Sequence, residues 1–389
     1  MPDTAVLFDP VPAARALAPE IAARAAEIEA ERRLPADLAA QLARAGLFRM
    51  LVPKRYGGGE VSPLTLWQTI ETLAAADAAV AWCVMIASTT GVTAAYLPPD
   101  QAKEVFGDPL TITGGVFAPL GQAHIEGDTA IVGGRWAWAS GSANCHWLMG
   151  GCVLMENGAP RKLDDGTPET RMFIAPRAEV ELIDTWFASG LRGTGSGDMV
   201  MAKVRIPLAR SVSLSRDAPL VQAPVYAFPV FGLLALGIAA VACGNARAAL
   251  DEFSALAVAK KPQGAGRSLA QRSAVQAQWA EAETALRSAR AFVMEVIDTA
   301  MAAAVKGEGL SLRHRADLRL ACAHMAKTGA DVCRAVYTLG GGSSVYESST
   351  LQRRFRDAHV ATQHIMVAPT ILEVAGRALL TGEGDWSVL

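Results

Sequence analysis

The spacing of apolar residues changes character twice along this chain. From about residue 11 to about 107, apolar side chains recur every three or four positions, the period of a helix with one buried face. Pro35 is placed to begin one helix, and Ser62-Pro63 supply a cap and first turn for the next. This block closes near Gly107-Asp108-Pro109. From about 110 to about 215 short β-rich runs take over, at 110–117, 129–138, 148–154 and 199–206, broken by Gly, Pro, Asn and Asp. Long alanine-rich helical segments return at roughly 225–259, 268–305, 312–338 and 349–379, separated by Lys306-Gly307-Glu308-Gly309 and the glycines after Leu339. Four helices of that length pack as an antiparallel bundle.

The predicted fold is therefore mainly α with a central β domain: an N-terminal helical domain (1–109), a β barrel or sandwich (110–216) and a C-terminal four-helix bundle (217–389). No internal repeat or low-complexity linker interrupts this order.

Composition adds partners to the picture. Apolar residues make up 51% and charged ones only 19%, with a mean hydropathy of +0.23, which predicts surface covered by other copies of the chain, a homo-oligomer. A net charge of −2 offers no footprint for nucleic acid or anionic lipid. Two uncharged runs, 78–99 and 218–246, are long enough to cross a bilayer. Their threonines, prolines and glycines suit helices buried on all sides of a protein core instead, so no membrane role is expected. Six scattered cysteines without a CxxC pair read as reduced core residues. Acidic residues stand where an export signal needs basic ones, so the expected location is the cytoplasm. No His-Glu-x-x-His pattern or comparable cluster predicts a metal.

Three segments carry candidate chemistry. In Gly133-Gly134-Arg135-Trp136-Ala137-Trp138-Ala139-Ser140-Gly141, a flat apolar wall and a hydroxyl stand two residues apart on one strand face. Phe117 precedes it in Gly115-Val116-Phe117-Ala118-Pro119. The second segment is Gly190-Leu191-Arg192-Gly193-Thr194-Gly195-Ser196-Gly197-Asp198, whose glycines fit a turn and no dinucleotide loop. The third runs from Leu339-Gly340-Gly341-Gly342 through Glu347-Ser348-Ser349-Thr350-Leu351-Gln352-Arg353-Arg354-Phe355-Arg356-Asp357 to His364.

Together with the helix–β–helix order, these segments resemble the acyl-CoA dehydrogenase superfamily over nearly the whole chain. The resemblance implies that Trp138 neighbours a flavin ring, that the Ser140 hydroxyl lies close to flavin N5, and that the Gly340-Gly341 turn meets the cofactor of a neighbouring subunit in a tetramer. Lys260, Lys261 and Arg267 occupy the region where relatives bind the flavin phosphate. The dehydrogenases place a catalytic glutamate eight residues before the Arg-Asp pair. Counting back from Arg356 reaches Ser348, with Glu347 one residue out of step. A slip of one residue turns a side chain ~100° around a helix, too far for a base that must reach one carbon.

The Leu-Gln-Arg-x-x-Arg-Asp…His arrangement is similar instead to the superfamily's flavin-dependent monooxygenases. That branch takes reduced FMN or FAD from a separate NAD(P)H:flavin reductase. It uses O2 through a C4a-hydroperoxide to oxygenate a small aromatic, heteroaromatic or amine substrate. His364, seven residues beyond Asp357 and expected on the same helix face, is the implied catalytic histidine, able to polarise a substrate near neutral pH. Trp82 matches an aromatic of the substrate pocket. Thr90 stands where phenol-hydroxylating relatives carry a second histidine, and no histidine precedes His124. The alternatives are a dehydrogenase with Glu347 as a displaced base and a catalytically silent flavin-binding scaffold.

Overall fold

A computed structural model describes residues 8–383. The N-terminal part is six helices: α1 (Pro10–Ala23), α2 (Ala25–Glu31), α3 (Ala36–Arg44), α4 (Pro63–Ala76), α5 (Ala78–Thr90) and α6 (Pro99–Phe106). Local chemistry sets their starts. Pro35 is the N-cap of α3, Ser62 Oγ accepts from Thr65 N at 3.1 Å to cap α4, and Asp77 Oδ1 accepts from Ala79 N and Val80 N to cap α5. All thirteen residues of α5 are buried, as their uniformly apolar sequence requires.

The central sheet holds β1 (Thr113–Glu126), β2 (Thr129–Trp136), β3 (Trp147–Glu156), β4 (Ala159–Pro160), β5 (Thr170–Pro176), β6 (Glu181–Ile183), β7 (Asp198–Pro207) and β8 (Ser211–Val212). Its order is β6-β7-β2-β1-β3-β5-β8, with β4 against β3; among the described strands, only β1 and β3 run parallel. The strand expected over 110–117 begins at Thr113 and continues to Glu126, with a register shift between Val116 and Gly121. That irregularity carries Phe117 out of the ladder toward the helices. Trp136 is fully buried, its Nε1 donating to Gly151 O at 2.8 Å. Its ring fills a slot where side chains at Gly121, Gly134 or Gly150 would collide with it.

The C-terminal part comprises α7 (Val230–Ala259), α8 (Ser273–Lys306), α9 (Leu312–Gly340), α10 (Thr350–Ala361) and α11 (Thr370–Thr381). The fourth bundle helix, expected as one piece over 349–379, is thus two, and residues 362–369 turn between them. The chain leaves α10 because Thr362 Oγ1 returns to His359 O (2.7 Å) and His364 Nδ1 takes the Met366 amide (3.2 Å), while Pro369 cannot continue a helical ladder. His364 consequently does not share a helix face with Asp357. Among the described residues, the two segments long and apolar enough to cross a membrane are Ala78–Ala95 and Val230–Ala259, and both are buried inside the protein.

α10 is where the three parts meet. The Arg354 guanidinium donates to Ala74 O, Ala75 O and Ala76 O at the end of α4, and to Asn245 Oδ1 and Glu252 Oε1 of α7. Asp357 Oδ1 accepts from Leu191 N at 2.6 Å, and Arg356 reaches Ser189 O and Glu29. Gly190 lies so close to the α10 backbone that a Cβ there would fall 2.4 Å from Arg356 O. The Arg-x-x-Asp pattern of the sequence is therefore an inter-domain clamp.

Candidate functional site

Three of the residues singled out in the sequence, Trp82, Ser140 and His364, meet where α5, the 137–141 turn and the 362–369 segment come together. Trp82, on α5, joins two of them: its Nε1–H donates to Ser140 Oγ at 3.2 Å, and its ring meets the His364 imidazole edge-on at 5.7 Å between centroids. The 137–141 turn is held by backbone bonds from Ala139 N to Gly197 O and from Gly141 N to Thr194 O. That lacing forces Trp138 into a left-handed conformation, φ 67°, which is unusual for a residue with a Cβ. Its indole is 70% exposed, a large flat apolar face held out from the surface.

Ser140 belongs to a chain of hydroxyls whose direction can be derived. Thr194 Oγ1 donates to Leu191 O at 2.8 Å, so it can only accept from Ser196, 2.6 Å away. Ser196 has then used its proton, and Ser140, 2.7 Å from it, must donate to Ser196. Ser140 already accepts from Trp82, which leaves it acceptor capacity and no free proton. Ser196 and Thr194, absent from the sequence-level site, are thus part of it. The alternation of hydroxyls and glycines in Gly193–Gly197 was the available sign.

His364 is partly exposed but closely enclosed by protein. Burial, with the Arg319 charge adding to it, pulls its pKa down to about 4, so the imidazole is neutral at pH 7. Because Nδ1 accepts from the Met366 amide, the ring proton resides on Nε2, and His364 presents a donor.

Phe117 meets Phe231, at the start of α7, edge-on at 5.9 Å. Gly340 closes α9, and its carbonyl accepts from Lys260 Nζ at 2.6 Å, joining two regions that were assigned separately to the cofactor. Gly341 is exposed at φ 56° with open space where a side chain would project. Thr90 is fully buried and paired with Thr113 Oγ1 at 2.9 Å, donating to Ala87 O. Glu347 is exposed, and its contact with Gln352 uses the backbone carbonyl. Among the described residues, no cluster of three or more His, Cys, Asp or Glu could hold a metal ion.

The acyl-CoA dehydrogenase N-terminal domain family model matches residues 12–107, and the acyl-CoA dehydrogenase C-terminal domain model matches residues 236–369. The indole-3-acetate monooxygenase of Acinetobacter baumannii is 31% identical over 93% of this chain and 92% of its own length. The chain belongs to the acyl-CoA dehydrogenase superfamily, in its flavin-dependent monooxygenase branch. A second indole-3-acetate monooxygenase, from Pseudomonas putida, is 33% identical over 91% of this chain and 89% of its own. The same fold is found in XiaF from a Streptomyces species, solved with FADH2 and glycerol, at a TM-score of 0.86 and 22% identity over 95% of this chain and 94% of that one. The dehydrogenase alternative gives way to this membership, consistent with the exposed Glu347.

Proposed function

We propose that this protein is the oxygenase component of a two-component monooxygenase, receiving reduced FMN or FAD from a separate reductase and oxygenating a small aromatic or heteroaromatic substrate. The observation that carries this reading is Trp82, bonded to Ser140 on one side and packed against His364 on the other. Trp138, Phe117 and the Gly340-Gly341 turn form the flavin site, with Lys260 beside the turn. Trp82 and Thr90 belong to the substrate wall, and His364 is the catalytic histidine. The relatives' name, indole-3-acetate monooxygenase, supports a heteroaromatic substrate. Exposed Val345, Tyr346, Ile365 and Leu380 support a homo-oligomer, which we assign as a tetramer in the cytoplasm.

The residues suit a reduced flavin. An isoalloxazine needs a flat apolar support and a few directed hydrogen bonds, and the exposed indole of Trp138 beside the Ser140 hydroxyl offers both. Reduced flavin carries a proton on N5 and oxidised flavin does not. The hydroxyl chain leaves Ser140 able to accept there. Bound reduced flavin supplies the electrons with which one oxygen atom of O2 enters the substrate and the other leaves as water. The chain's own part is to keep water out, to hold the N5 proton at Ser140 Oγ, and to donate from His364 Nε2 to an oxygen of the substrate or of O2.

The test is stopped-flow mixing of the protein and reduced FMN with O2. The expected result is a delayed return of the oxidised-flavin spectrum relative to free reduced FMN. Prompt reoxidation with stoichiometric hydrogen peroxide release would count against an oxygenase.

A further inference from the structure

Arg319 is the one large charged side chain among the most deeply buried residues, 2% exposed, and its surroundings do not explain it. Nη1 donates to Phe231 O at 3.0 Å and lies 3.2 Å from Met366 Sδ. Nε is buried without a hydrogen-bond partner, and Nη2 has none among the described residues. Among the described residues, no carboxylate pairs with it. Burial lowers the guanidinium to about 10, which leaves it charged at neutral pH. A buried cation without a counter-charge costs several kcal/mol (order of magnitude), so a fold that retains one calls for an explanation.

Its location suggests one. Arg319 projects from α9 onto the backbone of Phe231, whose ring meets Phe117, and onto the 362–369 segment, which carries His364 and Met366. Its charge reaches His364 and helps hold that imidazole neutral. The edge left without partners, Nε with Nη2, is the side of a guanidinium that engages both oxygens of a carboxylate through two parallel hydrogen bonds. Met366 Sδ sits on the other corner, at Nη1, and leaves that edge free.

We propose that Arg319 is the anion receptor of the substrate pocket, selecting an aromatic ring that carries a carboxylate on a short arm. The ring lies among Trp82, Phe117 and Phe231, and the carboxylate supplies the counter-charge that the protein omits. This assignment rests on the site proposed above and specifies which substrates it admits.

The test is calorimetric titration of the protein, with FMN present, using indole-3-acetate and its uncharged isostere indole-3-acetamide. Wild type is expected to bind the acid roughly ten- to a hundredfold more tightly than the amide, the range for hydrogen bonds to a charged group. Arg319→Met should bind both equally, and Arg319→Lys, which keeps the charge without the fork, should retain part of the preference. A folded Arg319→Met that still prefers the acid overturns the proposal. So does a wild type without the preference, whether it binds both ligands or neither. The oxygenase reading is judged separately, on the wild type's delay in flavin reoxidation, which needs no aryl acid.

Discussion

Two buried arginines stand in this molecule under opposite conditions. Arg354, 4% exposed, has five oxygen partners in two helices; Arg319, 2% exposed, has one carbonyl, one thioether and an orphaned Nε. Burial is nearly the same, so hydrogen-bond satisfaction distinguishes them. A fully partnered buried charge fixes the arrangement of what it touches, whereas an unpartnered one carries an unmet interaction that a ligand can meet. The first belongs to the architecture and the second to recognition.

The sharpest way to break this comparison is Arg354→Met. It strips the end of α4 of its donor and leaves Glu252 without its partner, and should cost about 3–5 kcal/mol in urea unfolding, the usual range for breaking a buried pair. Arg319→Met removes a charge that nothing balances, so the same measurement should show a loss below about 1 kcal/mol or a gain. Equal losses in the two variants would erase the distinction drawn here.

A pH series sharpens it further. His364 titrates near 6.5 when unfolded and at about 4 when folded, so the unfolded chain binds the extra proton between those values. Stability should therefore fall as pH drops through that window. His364→Gln should flatten the slope, and in Arg319→Met the slope should shrink without vanishing, because burial is the larger cause. The smallest effect concerns the hydroxyl chain. Ser196→Ala frees the Ser140 proton, so the preference for reduced over oxidised FMN should narrow about three- to tenfold in equilibrium binding, the size of one hydrogen bond. An unchanged preference would mean that Ser140 does not depend on Ser196 for its direction.

The same comparison explains what the sequence could reveal. The order of the three parts was legible because the apolar period changes where Gly and Pro cluster, near 107–109 and again before α7. The break after Ala361 was not, because 349–379 keeps enough helical spacing to read as one piece, and the bonds that end α10 come from a threonine and a histidine. The resemblance assigned Trp82, Ser140 and His364 separate roles, and their contact was not legible because positions 82, 140 and 364 are too far apart for any local pattern to join them. Arg354 and Asp357 were legible as a motif but not as a clamp, because their partners lie about 280 and 166 residues away. Arg319 was not legible from its residue type, since arginines stand mostly on surfaces. Its sign was register: position 319 falls on the same helical stripe as Ala316, Cys322, Ala323 and Ala326, all buried.

The clamp on α10 also dictates an order of assembly on the ribosome. Proteins emerge N-terminus first, and here the donors for Ala74 O, Ala75 O and Ala76 O, and the acceptor for Leu191 N, are made only with the last few dozen residues. A nascent chain stalled before Thr350 has its N-terminal helices and its sheet without the bonds that α10 adds to both. Such chains should be cut by protease between α6 and β1, and release of the complete chain should abolish that cleavage. His364, which lies beyond the clamp, reaches Trp82 only after that, so a half-made chain cannot complete the site.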